Sequence, residues 1–119
     1  MHSEVRMKTA IVGSRNVYVE DFTPYLPVET TEIISGGARG IDTCAAAYAS
    51  AHHLRLTEIK PDYRRFGRGA PLKRNVEIIG MADYVLVFWD GRSRGSRFVI
   101  DECEKSGKAY RVVLCADSE

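Results

Sequence analysis

Five short apolar runs rich in β-branched and aromatic residues punctuate the chain: Thr9 to Val12, Glu32 to Ile34, Leu56 to Ile59, Tyr84 to Phe88 and Tyr110 to Leu114. Each reads as a buried strand. Between them apolar residues recur at helical spacing, as in Ile41, Ala45, Tyr48, Ala49 and His52, in Leu72, Val76 and Ile79, and in Val99, Ile100 and Cys103. Strand and helix alternate throughout, which predicts a parallel sheet with helices on both faces joined by right-handed crossovers. The expected fold class is α/β, a Rossmann-like three-layer sandwich with a five-stranded parallel sheet of order 3-2-1-4-5. Pro24 and Pro27 limit any helix in the first connection, Asn16 to Pro27, to a short one. The 119 residues read as a single domain, 1–119, without repeats, low-complexity tracts or linkers.

Glycines follow the strands: Gly13 after the first, Gly36 and Gly37 after the second, Gly91 and Gly95 after the fourth. Such turns let backbone approach a ligand closely, and in this strand order the crevice opens between strands 1 and 4. A tight turn explains any one of these glycines, but three glycine turns at one sheet edge point to a pocket. The run Ile33 to Ile41 is the most specific, because Ser35, Gly36, Gly37, Arg39 and Gly40 lie where a strand hands over to an alanine-rich helix. Free N–H groups and the positive helix end can there face one anion, with the charge of Arg39 beside them.

Further candidates surround that turn. Gly13, Ser14 and Arg15 offer an N–H, a hydroxyl and a guanidinium to a phosphate or carboxylate. Ser35 is a turn residue or a hydrogen-bonding partner of a ligand. Asp42 complements the dipole of its own helix whatever the function, and otherwise addresses a ribose hydroxyl or orients Arg39. Arg74 and Asn75 pair a bidentate donor with an amide on one helical turn. Gly95 and Ser96 open the helix after strand 4 as a second anion site. Asp90, before Gly91, is a general base, a ribose ligand or a turn former, the last being the commonest role. Trp89 stacks on a base or fills the core. Pro61 to Pro71 interleaves arginines with aromatics at Tyr63, Arg64, Arg65, Phe66 and Arg68, and reads as a single-strand binder, a lid or a solvated loop.

Composition narrows the classes. Seventeen Lys+Arg against 16 Asp+Glu leave a net charge of +1, which disfavours a broad nucleic-acid surface and makes any anion site local. Cys44, Cys103 and Cys115 are odd in number and lack metal-ligand spacing, so buried thiols in a reducing, cytoplasmic setting are expected, with no metal and no resident cofactor. His52 and His53 close a helix. No apolar run approaches the roughly 20 residues that span a bilayer, and the short polar start lacks a leader pattern, so no membrane partner is expected. The triphosphatase and dinucleotide glycine fingerprints are absent, as is any nucleophile–histidine arrangement.

Ile11-Val12-Gly13-Ser14-Arg15, the run Ser35 to Asp42, Gly69 to Asn75, Ala82-Asp83, and Trp89 to Ser96 together resemble the SLOG superfamily, in the right order over nearly the whole chain. That superfamily includes DNA-processing protein A, the LOG-type phosphoribohydrolases and small stand-alone YspA-like or YpsA-related proteins; the last look most similar. The resemblance implies a Rossmann-like fold, a nucleotide or nucleotide-derived ligand such as a nucleoside monophosphate or ADP-ribose-like molecule, and a homodimer or higher assembly. Ala45 to Ala51 is then a close-packing helix face, or simply a helix packed on its own sheet. Two departures stand out. Val99 occupies the position of the LOG catalytic glutamate, and Arg74-Asn75 stands for the family's Arg-Lys pair. A LOG-like cleavage of an N-glycosidic bond would need Asp42, Asp90 or Asp101 as a substitute, and Asp101 lies roughly 200° around an ideal helix from Val99. Phosphate binding survives both departures. The similarity of the Ser35 to Asp42 run to DNA-processing proteins raises single-stranded DNA as another ligand.

Overall fold

The computed structural model describes residues 6–115. In chain order its elements are β1 Met7–Gly13, β2 Thr30–Ser35, α1 Ile41–Ala51, β3 Arg55–Glu58, α2 Tyr63–Phe66, a 3₁₀ turn Gly67–Gly69, α3 Ala70–Met81, β4 Tyr84–Trp89, α4 Arg94–Ser106 and β5 Tyr110–Leu114. All strand pairs are parallel and the order is β3-β2-β1-β4-β5, the doubly wound arrangement the alternation predicts. Central β1 places Ala10 opposite Ile34 on one side and Val85 on the other.

The inner strands β1, β2 and β4 are covered on both faces, which explains their uninterrupted apolar runs. Strands β3 and β5 are the edges of the sheet and leave Leu56, Val112 and Leu114 exposed, so the expectation of a buried strand fails for these two runs. Ala10, Ile34, Val85 and Val87 face α3 and α4, where Ile78, Ile79, Val99, Ile100 and Cys103 cover them. Ile11, Ile33, Leu86 and Phe88 face the opposite way, against Ile41, Ala45, Tyr48 and Ala49 of α1. Ala45 and Ala49 are fully buried there, so the alanine-rich face packs on the chain's own sheet and does not present them to a second copy.

Among the described residues of the first connection there is no helix. With Pro24 and Pro27 breaking the helical ladder, Val17 and Phe22 complete the second core from an irregular segment. The buried Phe22 ring meets Tyr48 edge-on at 5.4 Å and Phe88 at 5.2 Å. Each such pair contributes about 0.5–1.5 kcal/mol beyond its buried area, which is how a loop replaces a helix in this layer.

Helical spacing locates α3 but mistakes its buried face. Leu72 and Val76 are exposed, while Ala70, Asn75, Ile78 and Ile79 are inside. Leu72 and Val76 therefore lie on the face of α3 turned away from the core, while Ala70, in the same first turn as Leu72, is fully buried. Pro61 to Pro71 is likewise not an open loop: Asp62 caps α2 by accepting from Arg65 N at 3.1 Å, leaving Tyr63 and Phe66 exposed. His52 caps the end of α1 and His53 follows in the left-handed region, φ 56°. All three cysteines are free; Cys103 is buried and Cys44 and Cys115 are half-buried. Burial pushes the Cys103 thiol up to about 11, which leaves it unreactive near neutral pH. Among the described residues no helix is long and apolar enough to cross a membrane.

Candidate functional site

A cavity of about 450 Å³ opens at the carboxyl edge of the sheet, above the junction of β1 and β4. Gly13, Ser14, Arg15 and Asn16 enter it from β1, and Gly36, Ala38, Arg39 and Asp42 from the β2–α1 turn. The β4–α4 turn contributes Asp90, Ser93, Gly95 and Ser96, and α3 closes the open side with Pro71, Leu72, Arg74 and Asn75. Two glycines, Gly13 and Gly40, permit the close approach of β1 to the end of β4 and to the start of α1. A Cβ on Gly13 would lie 2.7 Å from the Phe88 carbonyl oxygen and 2.8 Å from Ile41 Cγ2. A Cβ on Gly40 would collide with the Arg15 carbonyl group, so the start of α1 rests directly on the backbone leaving β1.

Asp42 and Arg74 both hold the β2–α1 turn, and both lie on the side of Gly36 that a Cβ would occupy. Asp42 Oδ2 accepts from Ala38 N at 3.0 Å, and the Ser35 hydroxyl and Gly36 N–H also turn to this carboxylate. Arg74 Nη1 donates to the Gly36 carbonyl oxygen at 2.7 Å and Nε to Asn75 Oδ1 at 2.9 Å, leaving the rest of its fork for the cavity. Burial raises the Asp42 carboxyl above its ordinary value, although the Ala38 N–H and the Arg74 charge pull it down. A carboxyl raised on folding stabilises the fold when protonated, and that contribution fades as pH rises from the unfolded value through the folded one. Urea midpoints of wild type and Asp42→Asn, measured from pH 3.5 to 7, are therefore expected to diverge in favour of the variant as pH rises. A constant or shrinking gap would contradict the raised value.

Ser14, Ser93 and Ser96 form a hydroxyl cluster under the other side of the cavity. Ser14 Oγ accepts from Asp90 N at 3.2 Å and lies 3.4 Å from Ser96 Oγ, which lies 3.4 Å from Ser93 Oγ. Those O–O separations exceed a good O–H···O bond, so the hydroxyl protons can reorient toward an oxyanion. Ser93 caps α4, and the first-turn N–H groups beyond it have no helical carbonyl to reach. Asp90 is the turn former: its Oδ1 accepts from both Arg92 N and Ser93 N at 2.8 Å, and these bonds lower its pKa.

Eleven residues singled out from the sequence thus line one cavity: Gly13, Ser14, Arg15, Gly36, Arg39, Asp42, Arg74, Asn75, Asp90, Gly95 and Ser96. Six others do not. Trp89 turns into the sheet side of α4, packs on the core and donates Nε1 to the Ser93 carbonyl oxygen at 3.0 Å. Asp101 sits on the solvent face of α4, 3.3 Å from Arg97, as its rotation from Val99 requires. Ser35 is fully buried, accepting from Gly37 N, and Gly40 is buried against Arg15. Gly37 and Gly91 supply positive φ angles of 69° and 83° to their turns. Asn16, Ser93, Pro71 and Leu72 line the cavity without having been singled out. Ser93 carried a signal, as a capping residue three positions before Ser96; the exposed edge of α3 carried none.

No protein-family model matches the chain, and no solved structure matches it. Over 81 residues it is 33% identical to the Gene 61 protein of Mycobacterium phage D29, a stretch covering 63% of this chain and 65% of that protein. The match therefore spans less than two thirds of the relative's length.

Proposed function

We propose that the chain binds a nucleotide or nucleotide-derived ligand, with a phosphate seated between the β1, β2–α1 and β4–α4 turns. The observation that carries this reading is the convergence of two helix N-termini, those of α1 and α4, with Arg15, Arg39 and Arg74 on one cavity at the point where the strand order reverses. Helix N-termini and arginines favour phosphate over any neutral ligand, and doubly wound sheets bind nucleotides at this place. The SLOG-like motifs fall on these same turns. Cleavage of an N-glycosidic bond has weaker support, because Asp42 and Asp90 already hold turns together, Asp101 is outside the cavity and Val99 is in the core.

Thermal melts with nucleoside mono- and diphosphates, ADP-ribose and NAD test the reading. A ligand at roughly 100 times its dissociation constant should add about 2.7 kcal/mol of stability. A shift with at least one phosphorylated nucleoside, and none with the parent nucleosides, is expected; no shift with any phosphorylated ligand overturns it. Chromatography after incubation with AMP should show no free adenine.

A further inference from the structure

A second hollow, of about 530 Å³, adjoins the first along the carboxyl edge of the sheet, with Arg74 bordering both. It lies over the end of β3, between α2 and the outer side of α3. Its charged lining is mostly basic: Lys60, Arg65 and Lys73 join Arg74, against Asp62 and Glu77. The Asp62 carboxylate is already engaged as the cap of α2. Among the described residues, Lys60, Arg65 and Lys73 make no ion pair.

Two features hold these cations at the hollow. The half-exposed Phe66 ring has the Arg65 guanidinium 5.1 Å and the Lys73 ammonium 5.7 Å from its centre, an attraction that draws both toward the rim. Gly37, at φ 69°, leaves room for the Lys60 stem, whose Cγ and Cε would be 3.2 Å from a Cβ there. One glycine pair thus serves both compartments: Gly36 bears on Arg74 and the first cavity, Gly37 on Lys60 and the second.

We infer that the ligand is a small nucleotide with a second phosphate, the first phosphate lying in the crevice and the second crossing Arg74 to meet Lys60 and Lys73 in the basic hollow. This rests on the crevice reading above. The near-neutral net charge and the limited size of the hollow favour such a ligand over a nucleic-acid strand.

Titration calorimetry of wild type and the Lys60→Ala/Lys73→Ala double variant, with the four nucleoside monophosphates and their diphosphates, tests this inference. Both lysines are exposed, so the double variant is expected to keep its fold, checked by its urea midpoint. In wild type the best diphosphate should bind about tenfold or more tightly than its monophosphate, the range for charge-assisted contacts. In the variant that ratio should fall to about twofold or less. Equal wild-type affinities, or a ratio that persists in the variant, overturn the second compartment alone. Binding of neither series overturns the crevice reading and this inference with it. A twelve-nucleotide thymidine strand that displaces the diphosphate at equal concentration would assign the hollow to single strands and overturn the small-ligand inference.

Discussion

Gly40→Ala is expected to lower the stability of the protein by about 3 to 5 kcal/mol, through a strained backbone and a steric clash together. Gly40 has φ 74° and ψ −121°, a conformation that L side chains rarely adopt, and a Cβ would lie 2.7 Å from the Arg15 carbonyl carbon and 3.0 Å from its Cα. Those atoms are backbone and cannot rotate away. For a domain of this size the loss corresponds to a melting temperature lower by about 10 to 20 °C. Gly80→Ala is the matching control, because nothing lies within 4 Å of a Cβ there and the residue is inside α3. It should stabilise by about 0.5–1 kcal/mol through helix propensity. Equal melting temperatures for the two variants would contradict the close contact between the β1 and β2–α1 turns on which the cavity depends.

Arg74→Ala is expected to damage both the fold and the site. A contact to ligand alone would leave folding unchanged, but the guanidinium already donates to the Gly36 carbonyl oxygen and stands beside the raised Asp42 carboxyl. Losing a charged hydrogen bond to a half-buried carbonyl should cost about 1.5–3 kcal/mol of stability. Affinity for a phosphorylated ligand should fall roughly 10- to 150-fold by the loss of a comparable contact. Arg74→Lys should restore little of either, since an ammonium cannot reach Gly36, Asn75 and a phosphate with one planar fork. Arg64→Ala, on the exposed side of α2, should change neither quantity. Destabilisation with unaltered affinity would make Arg74 a purely structural residue and leave the cavity with fewer charges than the account needs.

What could be inferred from sequence, and what could not, follows from how local each signal is. The strand order was legible because five apolar runs separated by helical segments admit few right-handed arrangements. The glycine turns were legible for a similar reason: Gly13 ends β1, Gly36 directly follows β2 and Gly91 stands two residues after β4, where the chain must turn. Trp89 was ambiguous because it ends a strand, and only the position of α4 decides that its indole reaches the Ser93 carbonyl oxygen. The roles of Arg74 and Lys60 were hidden for a different reason. Each touches the Gly36–Gly37 turn from a distant stretch of sequence, a contact that no local pattern encodes. Leu72 and Val76 share a helical face, but periodicity does not report which face the core covers, and in α3 it is the one bearing Ala70, Asn75 and Ile78.

The most direct test of the central claim is an amide chemical-shift map of the ¹⁵N-labelled protein titrated with each of the four ribonucleoside monophosphates. Ser14, Gly36, Arg39, Gly95 and Ser96 are expected to move together along one saturable curve, since their turns border one cavity. Amides on the opposite edge of the sheet, at Met7 and Tyr110, should stay in place. No movement with any of the four at millimolar concentration, or movement confined to residues away from these turns, would contradict the account.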